Sequence, residues 1–469
     1  MTYKVSASEH QLRNDQLIDL PASKSLSNRA LILQALCAAP CQLTHLSDCD
    51  DTRVMQRAFE TIASRATDGP ATIDIGAAGT SMRFLTAYFA SRPGADVIMT
   101  GTERMKQRPI RILVEALRQL GAEIDYLEAD GCPPLRIHGR QLAGGPLSID
   151  GSTSSQYISA LLMIAPTLAH GMSLTLTGEV TSRPYILMTL GMMREFGVES
   201  QWDENVISIE PQAYKARSYE IESDWSAASY WYEMLAMAYD TSLKSIRLKG
   251  LRQASLQGDS HVADYFAPLG IKTRFTAEGV TLSSELEGMK YPERLDWDMT
   301  EQPDLAQTVI TTYAILGIKF DICGLHTLRI KETDRITALE NELRKLGCIV
   351  TDRDDDRMIA DGTEIEDFDF TYKVPPVIST YKDHRMAMAF APLALDIFPA
   401  SMLIDDPTVV SKSYPQYWDH LRQIGFSVEE YDLAEAALAE RKARTRRQWE
   451  YLTVAIAFLL LLLLIKFVL

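Results

Sequence analysis

Leu20-Pro-Ala-Ser-Lys-Ser-Leu-Ser-Asn-Arg29 puts a lysine, three serines and an arginine at the mouth of an apolar helix expected over residues 30–38. Pro21 suits a helix approach, and the serines can accept hydrogen bonds from the open N–H groups of a first turn. A helix start carrying Lys24, Ser25 and Arg29 is an anion site, because unpaired N–H groups and cations converge there. The same residues would also serve as a plain capped surface helix with two solvated cations. Four further stretches have a related character. Gly76-Ala-Ala-Gly-Thr-Ser-Met-Arg83 is a small-residue turn entering a helix, where bare backbone at Gly79 could approach a ligand closely. Gly101-Thr-Glu-Arg-Met-Lys-Gln-Arg-Pro109 gathers Arg104, Lys106 and Arg108 ahead of another helix. Gly151-Ser-Thr-Ser-Ser-Gln156 and Thr181-Ser-Arg-Pro-Tyr185 offer hydroxyls and an amide at helix starts, which suits a phosphate or an ordinary cap.

The second half adds carboxylates. Asp304 precedes an apolar helix and, taken alone, reads as its N-cap. Arg329-Ile-Lys-Glu-Thr-Asp-Arg335 alternates cations and acids, Asp383-His-Arg385 stands before Met386-Ala-Met-Ala389, and Lys412 lies in Ser411-Lys-Ser-Tyr-Pro415. Each could be a surface ion pair of little energetic weight. Together, Lys24, Arg29, Arg104, Arg335, Arg385 and Lys412 are spread over both halves, each near an expected helix start. In a chain of formal net charge -16 this pattern points to one inter-domain cleft for a small molecule with several negative charges.

The elements that must position these residues repeat. Gly121, Gly197, Gly270, Gly347 and Gly425 recur 73 to 78 residues apart, each between an amphipathic stretch and a strand-like run. Each glycine fits the left-handed position that closes a helix. A sixth, degraded copy would end near Ile62 and Ala63, before the strand-like 71–75. Alternating segments starting at Leu135, Leu147, Ser173 and Val206 supply further strands. The body therefore reads as six α/β units in two three-unit domains, although helix-Gly-strand is common in any α/β protein.

At 469 residues, 46% hydrophobic and 23% charged, the chain is globular and long enough for two cores. Its acidity argues against a nucleic-acid partner. The first ten residues hold no apolar segment, so no secretory signal is expected. Six scattered cysteines read as reduced thiols. Cys37, Cys41, His45 and Cys49 fall at four-residue steps, but Pro40 would break a shared helix, so no metal is expected there.

These motifs, in this order from Pro21 to Tyr417, resemble the 5-enolpyruvylshikimate-3-phosphate synthases, the shikimate-pathway enolpyruvyl transferases. The resemblance is carried by the Lys24, Gly79, Arg104–Pro109, Ser154-Ser-Gln156, Gln257-Gly-Asp259, Lys331-Glu-Thr-Asp-Arg335 and Asp383-His-Arg-Met stretches. It implies a two-domain inside-out α/β barrel of six repeated α/β units, with helices inside and sheets outside. The first domain would hold residues 1–20 and 222–431, and the second 21–221.

The resemblance also implies the chemistry. The enolpyruvyl group of phosphoenolpyruvate passes to the 5-hydroxyl of shikimate 3-phosphate, with release of phosphate, by addition and elimination on the way to chorismate. Asp304 would be the base, Glu332 with Lys24 the proton donor system, and His384 would lie beside the reacting centre. Lys24, Gly79, Arg104, Gln156, Arg335, Arg385 and Lys412 would hold phosphoenolpyruvate. Lys24, Ser25, Arg29, Ser154, Ser155, Gln156, Ser182, Tyr185, Asp304, Thr327 and Lys331 would hold shikimate 3-phosphate. No metal or cofactor is implied, because guanidinium and ammonium groups already neutralise the charge. The chain departs from the family pattern at Ala77 and Thr327, where many members have Asn, and at Phe84, where many have Pro. None of these removes a charge that the chemistry requires. Gly79 leaves room beside phosphoenolpyruvate, so sensitivity to glyphosate is expected.

Two other readings compete. The related transferase acting on UDP-N-acetylglucosamine has Lys-Asn in its first motif and a reactive loop cysteine, whereas Lys24 here is followed by Ser25. A catalytically silent binding scaffold is disfavoured by retention of Lys24, Asp304, Glu332, His384 and Arg385. Beyond the resemblance, residues 432–450 read as a charged helical linker, with five basic residues in 441–447. Residues 451–469 would span about 28 Å as a helix, against a hydrocarbon core of about 30 Å. A membrane anchor with the enzyme on the cytoplasmic side is the favoured reading, against an interfacial helix, an oligomerising helix or a fused segment, and a monomeric catalytic unit is expected.

Overall fold

The computed structural model describes residues 1–7, 11–64, 69–239, 241–285, 290–362, 375–395 and 401–432. Within them lie five four-stranded sheets and one two-stranded sheet. One unit shows the plan. Strand Ala71–Asp74 leads to helix Gly79–Ala90, strand Asp96–Thr100, helix Arg111–Gln119, and the hairpin Glu123–Tyr126 and Leu135–His138. The first two strands pair in parallel, and the hairpin folds back antiparallel beside the second. The other four-stranded sheets share this order of one parallel pair followed by two antiparallel pairs. In the last of them the N-terminal strand Thr2–Ser6 takes one hairpin position, between Ser401–Asp405 and Ser427–Glu430. The degraded unit keeps helices Lys24–Leu36 and Asp50–Ala63 but pairs only Gln42–Thr44 with Ser218–Glu220.

All five spaced glycines have positive φ, from 76° to 108°. Each turns the chain from a helical segment into a strand, the first strand of a hairpin in four cases and, after Gly425, the strand that pairs with Thr2–Ser6, in a conformation that a side chain would strain.

Helices Gly79–Ala90, Ser155–Ile164, Trp225–Met237, Ala306–Ile315 and His384–Phe390 are buried on nearly every side. A helix apolar all round belongs in an interior. The strands instead bury alternate residues, as in Gly145–Asp150, so one sheet face meets solvent. Helices therefore lie inside and sheets outside. The apolar side chains form two cores. One joins Val5, Ile18 and Leu20 to residues between Trp225 and Val428, and the other runs from Ala22 to Ile221. Where the chain passes between them, residues 21–23 and 222–224 run antiparallel. Ser23 N donates to Glu222 O at 2.8 Å, and Asp224 N donates to Pro21 O at 2.9 Å.

The first helix begins at Lys24, six residues before its apolar run, because the Ser23 hydroxyl accepts from Leu26 N and fixes the first turn. It ends at Leu36, so Cys41 is not on it. Among the described residues, no helix is long and apolar enough to cross a membrane. The linker and anchor expected over 432–450 and 451–469 lie outside the described residues from 433 onward.

Candidate active site

Two adjoining cavities lie between the two cores. The larger, about 160 Å³, is lined by Ser25, Arg29, Ser154, Ser155, Ser182, Tyr185 and Thr327, among others. The smaller, about 40 Å³, is lined by Gly79, Glu332, Arg335, His384 and Arg385, with Asp51 behind Lys24. Lys24, Thr80, Arg108, Gln156, Asp304 and Lys331 form the wall that they share. The smaller space is walled by ion pairs, so an entering anion would compete with them for the same cations.

Arg29 shows why the larger cavity suits an anion. Its guanidinium is buried, donates to Thr189 Oγ1 (2.7 Å), Ser25 O (2.9 Å) and Ser159 Oγ (3.1 Å), and forms no ion pair among the described residues. Burial without a counter-charge lowers its pKa to about 10. Ser154 caps Ser155–Ile164 by accepting from Gln156 N at 3.4 Å. Ser182 makes no cap bond and sits in the left-handed region at φ 52°. The buried Thr327 hydroxyl has no hydrogen-bond partner among the described residues.

In the smaller cavity the carboxylates are clamped by cations. Arg335, at the start of helix Arg335–Arg344, reaches three acids: Asp383 at 2.7 Å, Glu332 at 3.0 Å and Asp304 at 3.3 Å. Asp304 also meets Arg385 at 3.0 Å, Lys331 at 3.5 Å and the Tyr185 hydroxyl at 3.0 Å. Glu332 meets Lys412 at 2.8 Å, and Lys412 donates to Ala77 O at 3.1 Å. Burial alone would push both carboxyls up. The adjacent cations outweigh it and hold Asp304 and Glu332 well below the usual carboxylate range. Burial alone would likewise lower Lys24, but Asp51, at 3.8 Å, and Glu332 leave it raised. His384 is held well below the usual histidine range by burial and then by Lys24 and Arg385, and its Nδ1 bonds the Ser413 hydroxyl. The site thus holds a neutral imidazole, two ionised carboxylates and a protonated lysine within one buried cluster.

Most of the residues singled out in the sequence converge here, with Arg104 as the exception. It is exposed on the one-turn helix Glu103–Lys106 and lines neither cavity. Arg108 takes the inward place. It is buried, and a Cβ on Gly79 would stand 2.7 Å from its Nη1. The spacing in the sequence does not make this choice, since Arg108 lies past the end of the helix and the burial of Met105 is a feature of the fold. Asp304 corrects its reading as a cap, since it lies in the short turn Pro303–Leu305, makes no cap bond and points at cations.

Asp51 belongs to none of the sequence motifs, and Asp383, Arg83 and Asp259 stand in motifs that give them no role of their own. Asp51 faces Lys24, and Asp383 both caps His384–Phe390 and grips Arg335. Arg83 lines the larger cavity, its pKa lowered to about 10 by burial and then by Arg108. Asp259, bonded to the Ser226 hydroxyl and 3.5 Å from the Tyr185 hydroxyl, is pushed up to about 6 by burial and then by Asp304.

Comparison with known proteins agrees with this geometry. A family model described as EPSP synthase (3-phosphoshikimate 1-carboxyvinyltransferase) matches residues 11–421. A 3-phosphoshikimate 1-carboxyvinyltransferase of Bacteroides fragilis is 52% identical over 414 residues, covering 88% of this chain and 96% of that protein. The enzyme of the same name from Edwardsiella ictaluri is 39% identical over 424 residues, covering 86% and 94%. Among solved structures, an EPSP synthase from Acinetobacter baumannii superposes with a TM-score of 0.69 at 20% identity, covering 92% of this chain and 100% of that one, which supports the fold. A family match over nearly the whole body, together with identity above one half to a named relative, establishes that the chain belongs to the EPSP synthase (3-phosphoshikimate 1-carboxyvinyltransferase) family.

Proposed function

We propose a division of labour among these residues for the reaction that family membership assigns to the chain. That reaction transfers the enolpyruvyl group of phosphoenolpyruvate to the 5-hydroxyl of shikimate 3-phosphate and releases phosphate. The hydroxyl-rich larger cavity takes shikimate 3-phosphate, with its phosphate on Ser25, Ser154, Ser155 and Ser182 near Arg29, and its ring beside Gln156, Tyr185, Thr327 and Lys331. The smaller cavity takes phosphoenolpyruvate on Lys24, Arg108, Arg335, Arg385 and Lys412, with Gly79 and Gln156 alongside. Arg108 replaces Arg104 in this scheme, for the reason of placement given above.

Asp304, on the shared wall, removes the 5-hydroxyl proton as the oxygen attacks C2 of phosphoenolpyruvate. Protonated Lys24, with the ionised Glu332 beside it, delivers a proton to the methylene carbon, giving a tetrahedral intermediate. Loss of a methyl proton to Glu332 and departure of phosphate then complete the elimination. The observation that carries this scheme is that Arg335 joins Asp304, on the wall shared by the two cavities, to Glu332, which lines the smaller one. That supports a base at Asp304 and a second proton-transfer group at Glu332 beside one reacting centre.

The test is phosphate release by the full chain given both substrates, with Lys24→Ala as control. Release that requires both substrates and is lost in the variant supports the scheme. Release that persists in Lys24→Ala overturns the role of Lys24.

Residues 451–469 are proposed as a membrane contact on their sequence alone, an uncharged run from 451 to 465 behind five basic residues in 441–447. Flotation of the full chain with vesicles containing anionic lipid, lost on removal of 451–469, is the expected result. Flotation unaffected by that removal overturns it.

A further inference from the structure

The segment that delivers His384 and Arg385 is held in an uncomfortable shape. Asp383 N donates to Thr380 O at 2.8 Å across a tight turn whose two central residues, Tyr381 (φ 53°) and Lys382 (φ 59°), are both left-handed. Such a turn favours Gly, Asn or Asp at these positions, and neither residue here is of that kind. Left-handed backbone outside glycine persists only where the surroundings impose it.

What imposes it is Glu342, a fully buried carboxylate on helix Arg335–Arg344 that touches neither cavity. Glu342 accepts from Ser379 N at 3.0 Å and from the Tyr381 hydroxyl at 2.7 Å, and Lys345 pairs with it at 2.6 Å. The same helix begins with Arg335, which grips Asp383 at 2.7 Å just after the turn. One helix therefore holds the turn at both ends, through Glu342 before it and Arg335 after it.

We infer that Glu342 and Tyr381 are positioning residues for the phosphoenolpyruvate side of the site, acting through this strained turn on Arg385 and on the Asp383–Arg335 pair. The inference rests on the assignment of Arg335 and Arg385 to phosphoenolpyruvate. The shikimate 3-phosphate cavity draws its hydroxyls from Ser25, Ser154, Ser155, Ser182 and Tyr185, all on other elements. Loosening the turn therefore acts on one substrate and spares the other, which a general loss of stability would not do.

The test is Tyr381→Phe, which removes one hydroxyl from a ring that is 38% exposed and keeps the fold. The KM for phosphoenolpyruvate is expected to rise about 5-fold, the effect of one lost hydrogen bond. The KM for shikimate 3-phosphate should stay within about twofold, with an unchanged thermal midpoint. Adding Lys382→Asn, which suits the left-handed position, restores the phosphoenolpyruvate KM to within about twofold of the parent. Glu342→Gln serves as a second variant of the clamp with the same selective effect. Equal shifts in both KM values, no shift in either, or no rescue by Lys382→Asn overturns the inference. Arg385→Lys, assayed alongside, separates the two levels. If it raises the phosphoenolpyruvate KM while Tyr381→Phe does not, only the clamp fails; if it leaves that KM unchanged, the site assignment fails and the clamp with it.

Discussion

The Arg385 guanidinium stands 3.0 Å from the Asp304 carboxylate. A cation assigned to the incoming anion thus also keeps the proposed base in its charged form. When phosphoenolpyruvate draws Arg385, Arg335 and Lys412 toward its own charges, Asp304 and Glu332 lose part of that stabilisation and their pKa values rise. The carboxylates become better proton acceptors only once the substrate is in place. The expected sign follows: the acid limb of kcat, which reports the substrate complex, lies at higher pH than the acid limb of kcat/KM for phosphoenolpyruvate. Coincident limbs measured over the acid range would contradict this exchange of partners.

Replacing Asp304 by Asn keeps the size of the side chain and removes its basicity. A fall in kcat of about 10²–10⁴ is expected, the usual range for a general base. Binding of shikimate 3-phosphate, followed by calorimetry, should change far less.

Arg104 and Arg108 lie one turn apart and should behave differently. Arg108→Ala is expected to raise the KM for phosphoenolpyruvate about 10- to 100-fold, as for loss of a charged hydrogen-bond donor. Arg104→Ala, on the exposed side of its turn, should leave both KM values within about twofold. Steady-state kinetics of the two variants decides which arginine serves the site.

Gly79 sets the room beside Arg108. A Cβ there would stand 2.7 Å from Arg108 Nη1, and the guanidinium is the mobile end of its side chain. Gly79→Ala is therefore expected to fold normally, shift Arg108 and raise the phosphoenolpyruvate KM several-fold. With the glycine in place, glyphosate should inhibit the enzyme, and an inhibition curve flat to millimolar inhibitor would count against it.

Glu233 gives a pH dependence of stability that is separate from catalysis. It is fully buried in helix Trp225–Met237 and accepts from Thr311 Oγ1 at 2.8 Å. Burial pushes its carboxyl well above the usual range, outweighing the Thr311 and Thr312 hydroxyls. The folded chain keeps this proton where the unfolded chain has released it. Stability contributed by the group is complete below the ordinary carboxylate pKa and is lost as pH rises toward the folded value, at up to about 1.4 kcal/mol per pH unit. Glu233→Gln should flatten that decline, seen as a smaller difference between urea midpoints at pH 5 and pH 8.

The sequence by itself determined the repeat and the family, and it picked out most of the residues that line the two cavities. Glycines at fixed spacing mark helix ends because a left-handed backbone excludes most side chains, a local demand that leaves its trace in the chain. Runs such as Lys24-Ser25 and Asp383-His-Arg385 are legible for a similar reason: short motifs put chemistry next to backbone turns. Tertiary structure decided what depends on facing direction and on distant partners. Whether Arg104 or Arg108 turns inward rests on how a one-turn helix packs through Met105. Asp304 became a clamped carboxylate instead of a cap because Arg335, Lys331 and Arg385 arrive from elsewhere in the chain. Glu342 carries no motif, and its grip on the Tyr381 turn exists only once residues 37 and 39 positions apart are folded together.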